Sequence, residues 1–171
     1  TMAAMLAFAA NSILCRLALA QGSIDPASFG SLRLVSGALT LALVLRLRRA
    51  PAGAPARSDW LAAAMLFAYV ACFSFAYLSL PAGTGALVLF GAVQITMLSV
   101  GWRAGESFGG WGWVGFVLAV GGLVGLVAPG VNAPAPLGAA LMAAAGVAWG
   151  IYSLRGRGVA DPLAATAGNF M

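Results

Sequence analysis

The sequence predicts an all-α fold, a polytopic transmembrane helical bundle, from three observations. Hydrophobic residues make up 62% of the 171-residue chain, and charged residues only 8%. Mean hydropathy is +0.98. Five or six apolar stretches are each long enough to cross a bilayer. A hydrocarbon core of about 30 Å needs about 20 apolar residues of helix. Inside it every backbone N–H and C=O must be satisfied within its own segment, which selects helices. A water-soluble domain of this length has too little interior for so much apolar surface.

The elements follow in order. Span one is predicted from Met2 to Ala20, before the turn Gln21-Gly22-Ser23-Ile24-Asp25-Pro26. Span two runs from Ala27 to Leu45. A polar linker from Arg46 to Ser58 holds Pro51, Pro55 and four arginines. Span three runs from Trp60 to Leu80, and Pro81-Ala82-Gly83 is read as a tight reversal. Span four runs from Thr84 to Trp102 and span five from Trp111 to Ala128. A proline-rich loop covers 129–136. Span six runs from Leu137 to Leu154, and Leu163 to Met171 reads as the opening of a seventh. Ala18-Leu19-Ala20 matches a signal-peptide cleavage pattern, but no basic segment precedes the span and Arg16 interrupts its end, so the span is kept as a helix.

The arginines set an orientation. Arg46, Arg48, Arg49 and Arg57 lie between spans two and three, Arg103 between four and five, and Arg155 and Arg157 after six. The alternate loops hold Asp25 and no basic residue. Basic loops stay in the cytoplasm, so the N-terminus is read as cytoplasmic. Trp60, Trp102, Trp111, Trp113 and Trp149 fall near the same span ends, where amphipathic rings sit at the headgroup level. The net charge of +5 is therefore assigned to topology, and nucleic acid is not expected as a partner.

Ala9-Ala10-Asn11-Ser12-Ile13-Leu14-Cys15-Arg16 and the stretch from Ala144 to Arg155 share a plan. Each has an alanine pair, an apolar run and an arginine. Each is followed by Asp-Pro (Asp25-Pro26, Asp161-Pro162) and another apolar run. The copies are five spans apart in order, an odd number, so the second enters the membrane from the opposite side, as in inverted-repeat transporters. Chance likeness of alanine-rich helices is the competing reading.

These residues, with Ser31-Leu32-Arg33 at the head of span two, resemble the drug/metabolite transporter superfamily, in its EamA-type domain. The stretch Phe75-Ala76-Tyr77-Leu78-Ser79-Leu80-Pro81-Ala82-Gly83-Thr84-Gly85-Ala86 is similar to that family's hairpin between spans three and four. Gly105-Glu106-Ser107-Phe108, with Gly115 beyond, is similar to its glycine–glutamate signature before span five. Ala148-Trp149-Gly150-Ile151-Tyr152 is similar to the opening of a second copy. The resemblance implies an EamA-type inverted five-helix repeat, truncated in the second repeat. Residues 1–128 would form the first repeat, 129–136 a periplasmic loop and 137–171 the start of the second. It implies a multi-pass permease or exporter in the inner (plasma) membrane of a bacterium, moving small metabolites or drug-like solutes by alternating access. The chain begins with Thr1, and the family has ten spans, so the chain reads as a fragment needing its missing C-terminal half or a second copy. The alternative is a non-transporting half-repeat component or an inactive fragment. Gln94 stands where many members carry proline, which removes the expected kink in span four.

Seven residues are candidates for substrate binding. Arg33 lies inside span two, where an ionisable group costs about 2.5–3.5 kcal/mol on insertion scales. It either draws an anionic or zwitterionic solute inward or snorkels to the headgroups. Asn11 and Ser12 in span one, and Gln94 and Thr96 in span four, carry polar groups near mid-membrane. Such groups line a pocket or bond across helices. Tyr69 and Trp149, with Tyr152, either supply aromatic walls or pack between helices and anchor at the interface. Arg16 is read as snorkelling at the outer end of span one. Glu106, three residues beyond Arg103, is read as structural with an ion pair to that arginine. Gly121-xxx-Gly125 and Gly146-xxx-Gly150 are packing signals. No span carries a carboxylate, which argues against a proton-coupled mechanism built on a membrane glutamate. There is no histidine, and Cys15 and Cys72 sit in apolar runs, so neither a metal nor another cofactor is expected. No P-loop or nucleophile elbow occurs, and the chain is not read as an enzyme. Its expected partners are the lipid bilayer and a small-molecule substrate.

Overall fold

A computed structural model of the chain describes residues 2–20, 24–48, 59–107, 109–127 and 134–170. The turn at 21–23, most of the linker (49–58), Phe108 and residues 128–133 at the predicted loop lie outside the described residues. The described chain is all-helical. Its elements are α1 (Met2–Ala20), α2 (Pro26–Leu47), α3 (Trp60–Ala76), α4 (Ala82–Arg103), α5 (Gly110–Val127), α6 (Pro136–Arg155) and α7 (Pro162–Phe170).

Local chemistry sets the helix ends. Asp25 caps α2 by accepting from Ala27 N and Ser28 N, both at 3.0 Å, with Pro26 in the first turn. Asp59 caps α3 through Leu61 N at 3.1 Å and Ala62 N at 3.3 Å. Asp161 caps α7 in the same way, through Leu163 N at 3.1 Å and Ala164 N at 3.2 Å. At the far end of α4, Gly105 takes φ +87°. There Gly105 N donates to Trp102 O and Glu106 N to Gly101 O, both at 3.0 Å, which makes a Schellman cap. The glycine–glutamate pair thus closes a helix with its backbone. Arg103 and Glu106 are both exposed, and the ion pair read between them does not form; the ion pair among the described residues is Arg155–Asp59.

Helix α3 ends earlier than its sequence suggests. Pro81 disfavours a helical conformation at Leu80. The chain therefore leaves α3 after Ala76 and turns through Tyr77–Leu80, with Leu80 N donating to Ala76 O at 3.1 Å. The reversal lies in those four residues, and Ala82 and Gly83 already belong to α4. Arg16 supports the turn. Its Nη1 donates to Tyr77 O at 2.8 Å and Leu78 O at 3.2 Å. Arg16 therefore caps the exit of α3 instead of snorkelling, and places a positive charge at the negative end of that helix.

The core forms where α6 lies against α3 and α4. Phe73, Tyr77, Leu80 and Met142 are wholly buried there. Close approach of α6 to α4 needs residues without side chains. A Cβ at Gly146 would meet Leu89 O at 2.6 Å, and one at Gly150 would meet Thr96 Cβ at 2.9 Å. A Cβ at Gly121 or Gly125 of α5 would meet nothing within 4 Å, so this pair makes no helix contact in the described chain. Helix α7 packs on α2 and α3, and α1 on α4. The outward surface is apolar: Leu32, Leu39, Leu43, Phe67, Leu87, Val117 and Leu118 are all exposed. Helices α2, α4 and α6 are long and apolar enough to cross a membrane, while the apolar stretches Leu6–Leu19, Trp60–Ala76 and Gly110–Gly122 are shorter.

Three substitutions test this arrangement. Gly146→Ala should destabilise the bundle by about 2 kcal/mol, because the new methyl meets a backbone carbonyl that cannot move aside. Gly121→Ala, in open space, should stabilise it by about 0.5 kcal/mol. Arg16→Ala should cost about 2 kcal/mol by leaving two carbonyls without their charged donor. Thermal unfolding of the detergent-solubilised variants measures all three.

Candidate binding cavity

Tyr69 and Phe73 of α3 and Tyr77 at its exit stand four positions apart, so their rings share one face. Tyr69, Phe73 and Tyr77 stack along it, with ring centroids 5.2 and 4.8 Å apart. Trp149 of α6 continues the seam at 4.9 Å from Tyr69, with Phe8 of α1 at 6.2 Å and Tyr152 at 5.4 Å on its other sides. A cavity of about 390 Å³ opens beside this seam. Its wall comes from α1 (Ala7, Phe8, Asn11), α2 (Arg33, Leu34), α3 (Leu66, Tyr69, Val70), α6 (Trp149, Tyr152) and α7 (Thr166, Phe170).

Arg33 reaches the cavity from α2. Its Nη2 donates to Asn11 Oδ1 at 3.1 Å. Its guanidinium carbon lies 5.1 Å from the Phe73 ring centroid and 5.8 Å from that of Phe29. Both rings offer negative faces to the cation. The Tyr69 hydroxyl interacts with both Arg33 and Asn11. Nη1 of Arg33 is buried and has no hydrogen-bond partner among the described residues. These contacts hold the side chain within the bundle.

The seven candidate residues divide. Arg33, Asn11, Tyr69 and Trp149 line the one cavity. Ser12 is buried one position beyond Asn11 and interacts with Tyr77. Thr96 donates to Ala92 O at 2.8 Å and packs against Gly150. Gln94 is exposed on α4, outside the cavity wall. The remaining wall residues Ala7, Phe8, Leu34, Leu66, Val70, Thr166 and Phe170 were not anticipated. A signal for two of them exists: helical neighbours lie three or four positions apart, which joins Phe8 to Asn11 and Leu66 to Tyr69.

A second cavity of about 590 Å³ adjoins the first, lined by Asp59, Trp60, Ser153, Arg155 and Asn169 among others. Tyr152 and Thr166 line both cavities, and the Tyr152 hydroxyl donates to Thr166 Oγ1 at 3.2 Å. Arg155 Nε donates to Asp59 Oδ2, tying the end of α6 to the start of α3. That bond, with the cap N–H groups of Ala62 and Leu61, holds the Asp59 carboxyl below its ordinary range.

The chain is 58% identical over 171 residues to an uncharacterized protein of Pseudomonas aeruginosa; the match covers 100% of this chain and 59% of that protein. The chain thus spans about three-fifths of the length of the curated relative it matches. No protein-family model and no solved structure matches it.

The lowered Asp59 pKa gives a pH signature. A depressed carboxyl adds stability that is full above its unfolded value and is lost as pH falls through the folded one. The stability difference between wild type and Asp59→Asn, which keeps a capping side chain, should be constant above about pH 5 and shrink below about pH 4. Thermal unfolding across that range measures it.

Proposed function

We propose that this chain is part of a secondary transporter that moves a small solute by alternating access. The cavity that Arg33 enters carries this reading. It lies within a bundle of apolar helices, and its wall joins α1, α2 and α3 to α6 and α7. In an inverted repeat, a solute site falls at the meeting of the two copies. Here α1–α5 would be the first EamA-type repeat of the drug/metabolite transporter plan, and α6–α7 the start of the second. The relative's additional length leaves room for the rest.

Two further observations support the repeat. Asp25 and Asp161 cap α2 and α7 by the same pair of hydrogen bonds, each ahead of a proline. At the same offset from each aspartate (25 to 33, 161 to 169) stand Arg33 and Asn169. Their Nη1 and Oδ1 are the buried side-chain atoms without a hydrogen-bond partner among the described residues. Tyr152 and Thr166, bonded across the border of the two cavities, are placed to gate passage between them.

The reading puts the protein in the inner membrane of a bacterium, multi-pass, with its N-terminus and arginine-bearing loops in the cytoplasm. In a background with Cys15 and Cys72 replaced by alanine, Ala54→Cys should react with an impermeant maleimide only after the cells are opened, and Ser23→Cys in intact cells. The complete reading frame in proteoliposomes should exchange at least one member of a metabolite panel across the membrane. Absence of exchange for the whole panel, with correct topology, would favour a non-transporting component.

A further inference from the structure

We infer that the cavity selects an organic monoanion, a single carboxylate on an apolar body, and rejects the zwitterion and the amine built on the same body. The inference rests on the transporter reading for its setting and goes beyond it in naming the solute.

Arg33 brings a guanidinium, a cation with N–H donors and no acceptor, to the cavity wall. One of its terminal nitrogens is engaged by Asn11, while Nη1 is buried without a partner. A guanidinium is satisfied best by a carboxylate, which accepts two parallel N–H bonds. This chain does not provide that carboxylate: among the described residues no Asp or Glu lines the cavity. The four acidic residues of the chain lie elsewhere. Asp25, Asp59 and Asp161 cap helices, and Glu106 is exposed beyond α4. The faces of Phe29 and Phe73 offset part of the charge, and Asn11 accepts from Nη2, but Nη1 has no acceptor among the described residues. An anion entering the cavity completes the set.

The same census excludes a second charge on the ligand. An ammonium group in this cavity would meet no carboxylate and would lie in the repulsive field of Arg33. The rest of the wall is apolar or aromatic, with Phe8, Leu34, Leu66, Trp149 and Phe170 around a space of about 390 Å³. That volume suits a compact apolar body in the usual range of small-molecule sites. Tyr69 and Thr166 supply hydroxyls, and these orient a ligand without selecting its charge.

Three probes share one body and differ only in charge: 3-phenylpropionate, phenylalanine and 2-phenylethylamine. Binding to the detergent-purified product of the complete reading frame is measured by calorimetry and by thermal shift. The anion should bind at least about tenfold more tightly than either of the others. Arg33→Gln should abolish that preference, and Arg33→Lys should weaken the anion while keeping the order. Equal or tighter binding of phenylalanine or the amine, or no binding of the anion at millimolar concentration, would overturn the inference. The probe series on the unaltered protein decides the matter even where Arg33→Gln fails to fold. Flux in proteoliposomes is read separately. A protein that binds the anion but moves no solute keeps the ligand class and refutes transport. One that moves phenylalanine and ignores the anion does the reverse.

Discussion

The contact of α6 with α4 is the constraint on which the rest of the structure depends. Apolar helices in lipid gain little from simple burial, since lipid tails are as apolar as leucine. They associate through close packing, and close packing requires that backbones approach. Gly146 against the Leu89 carbonyl and Gly150 against Thr96 provide that approach. It sets the position of Trp149, which lies between those two glycines in sequence and meets Tyr69 and Phe8. Tyr152, a turn of helix further on, then reaches Thr166, and Arg155 reaches Asp59. The cavity is the space left between α6 and the first three helices once that approach has been made.

Within that frame Arg33 is held by partial satisfaction. A charged group inside an apolar bundle is costly unless each of its donors is engaged. Asn11 and the two phenylalanine faces engage part of it, and the buried Nη1 has no hydrogen-bond partner among the described residues. Asn11 gains its place from a second structural arginine. Arg16, little more than a turn beyond it on α1, is fixed by the carbonyls of Tyr77 and Leu78. One arginine locks α1 to the end of α3, and that lock helps to present the amide that orients the other. The first is a structural charge whose Nη1 is held by two backbone carbonyls. The second has capacity to spare, which is the condition a binding group must meet.

Much of the fold was legible in the sequence because helix ends are written in punctuation. Asp-Pro pairs, Gly105-Glu106, the arginines and the tryptophans mark many of the places where apolar runs stop, and six of the helices begin and end within two residues of the spans read from the sequence. The exception, α3, followed from Pro81 acting on the residue before it. The inward face of each helix was much less legible. A soluble helix shows its buried side as an apolar stripe, but a helix that is apolar all round carries no such stripe. That is why Gln94 and Arg33, both polar groups within apolar spans, could not be told apart. Arg33 points into the bundle, and Gln94 is exposed on α4. Gly146-xxx-Gly150 and Gly121-xxx-Gly125 are alike in sequence, yet only the first has a helix against it. The contributions of α7 were hidden for another reason. Thr166 and Phe170 fall in a short apolar run that gives no hint of the helices it will meet.

The two Asp-Pro helices carry the inverted-repeat reading further than composition could. Helix caps are common, and an aspartate before a proline is an ordinary way to begin a helix. Two such caps alone would be weak support. The stronger point is what stands at the same offset beyond each cap. Arg33 faces the smaller cavity and Asn169 the larger, and each keeps a buried polar atom unengaged. Burying an unsatisfied polar group is selected against in a structural role, because an apolar residue of similar size would be more stable there. On the transporter proposal both positions would face the route of a solute, on either side of the Tyr152–Thr166 bond, and Arg33 would carry the charge that chooses it.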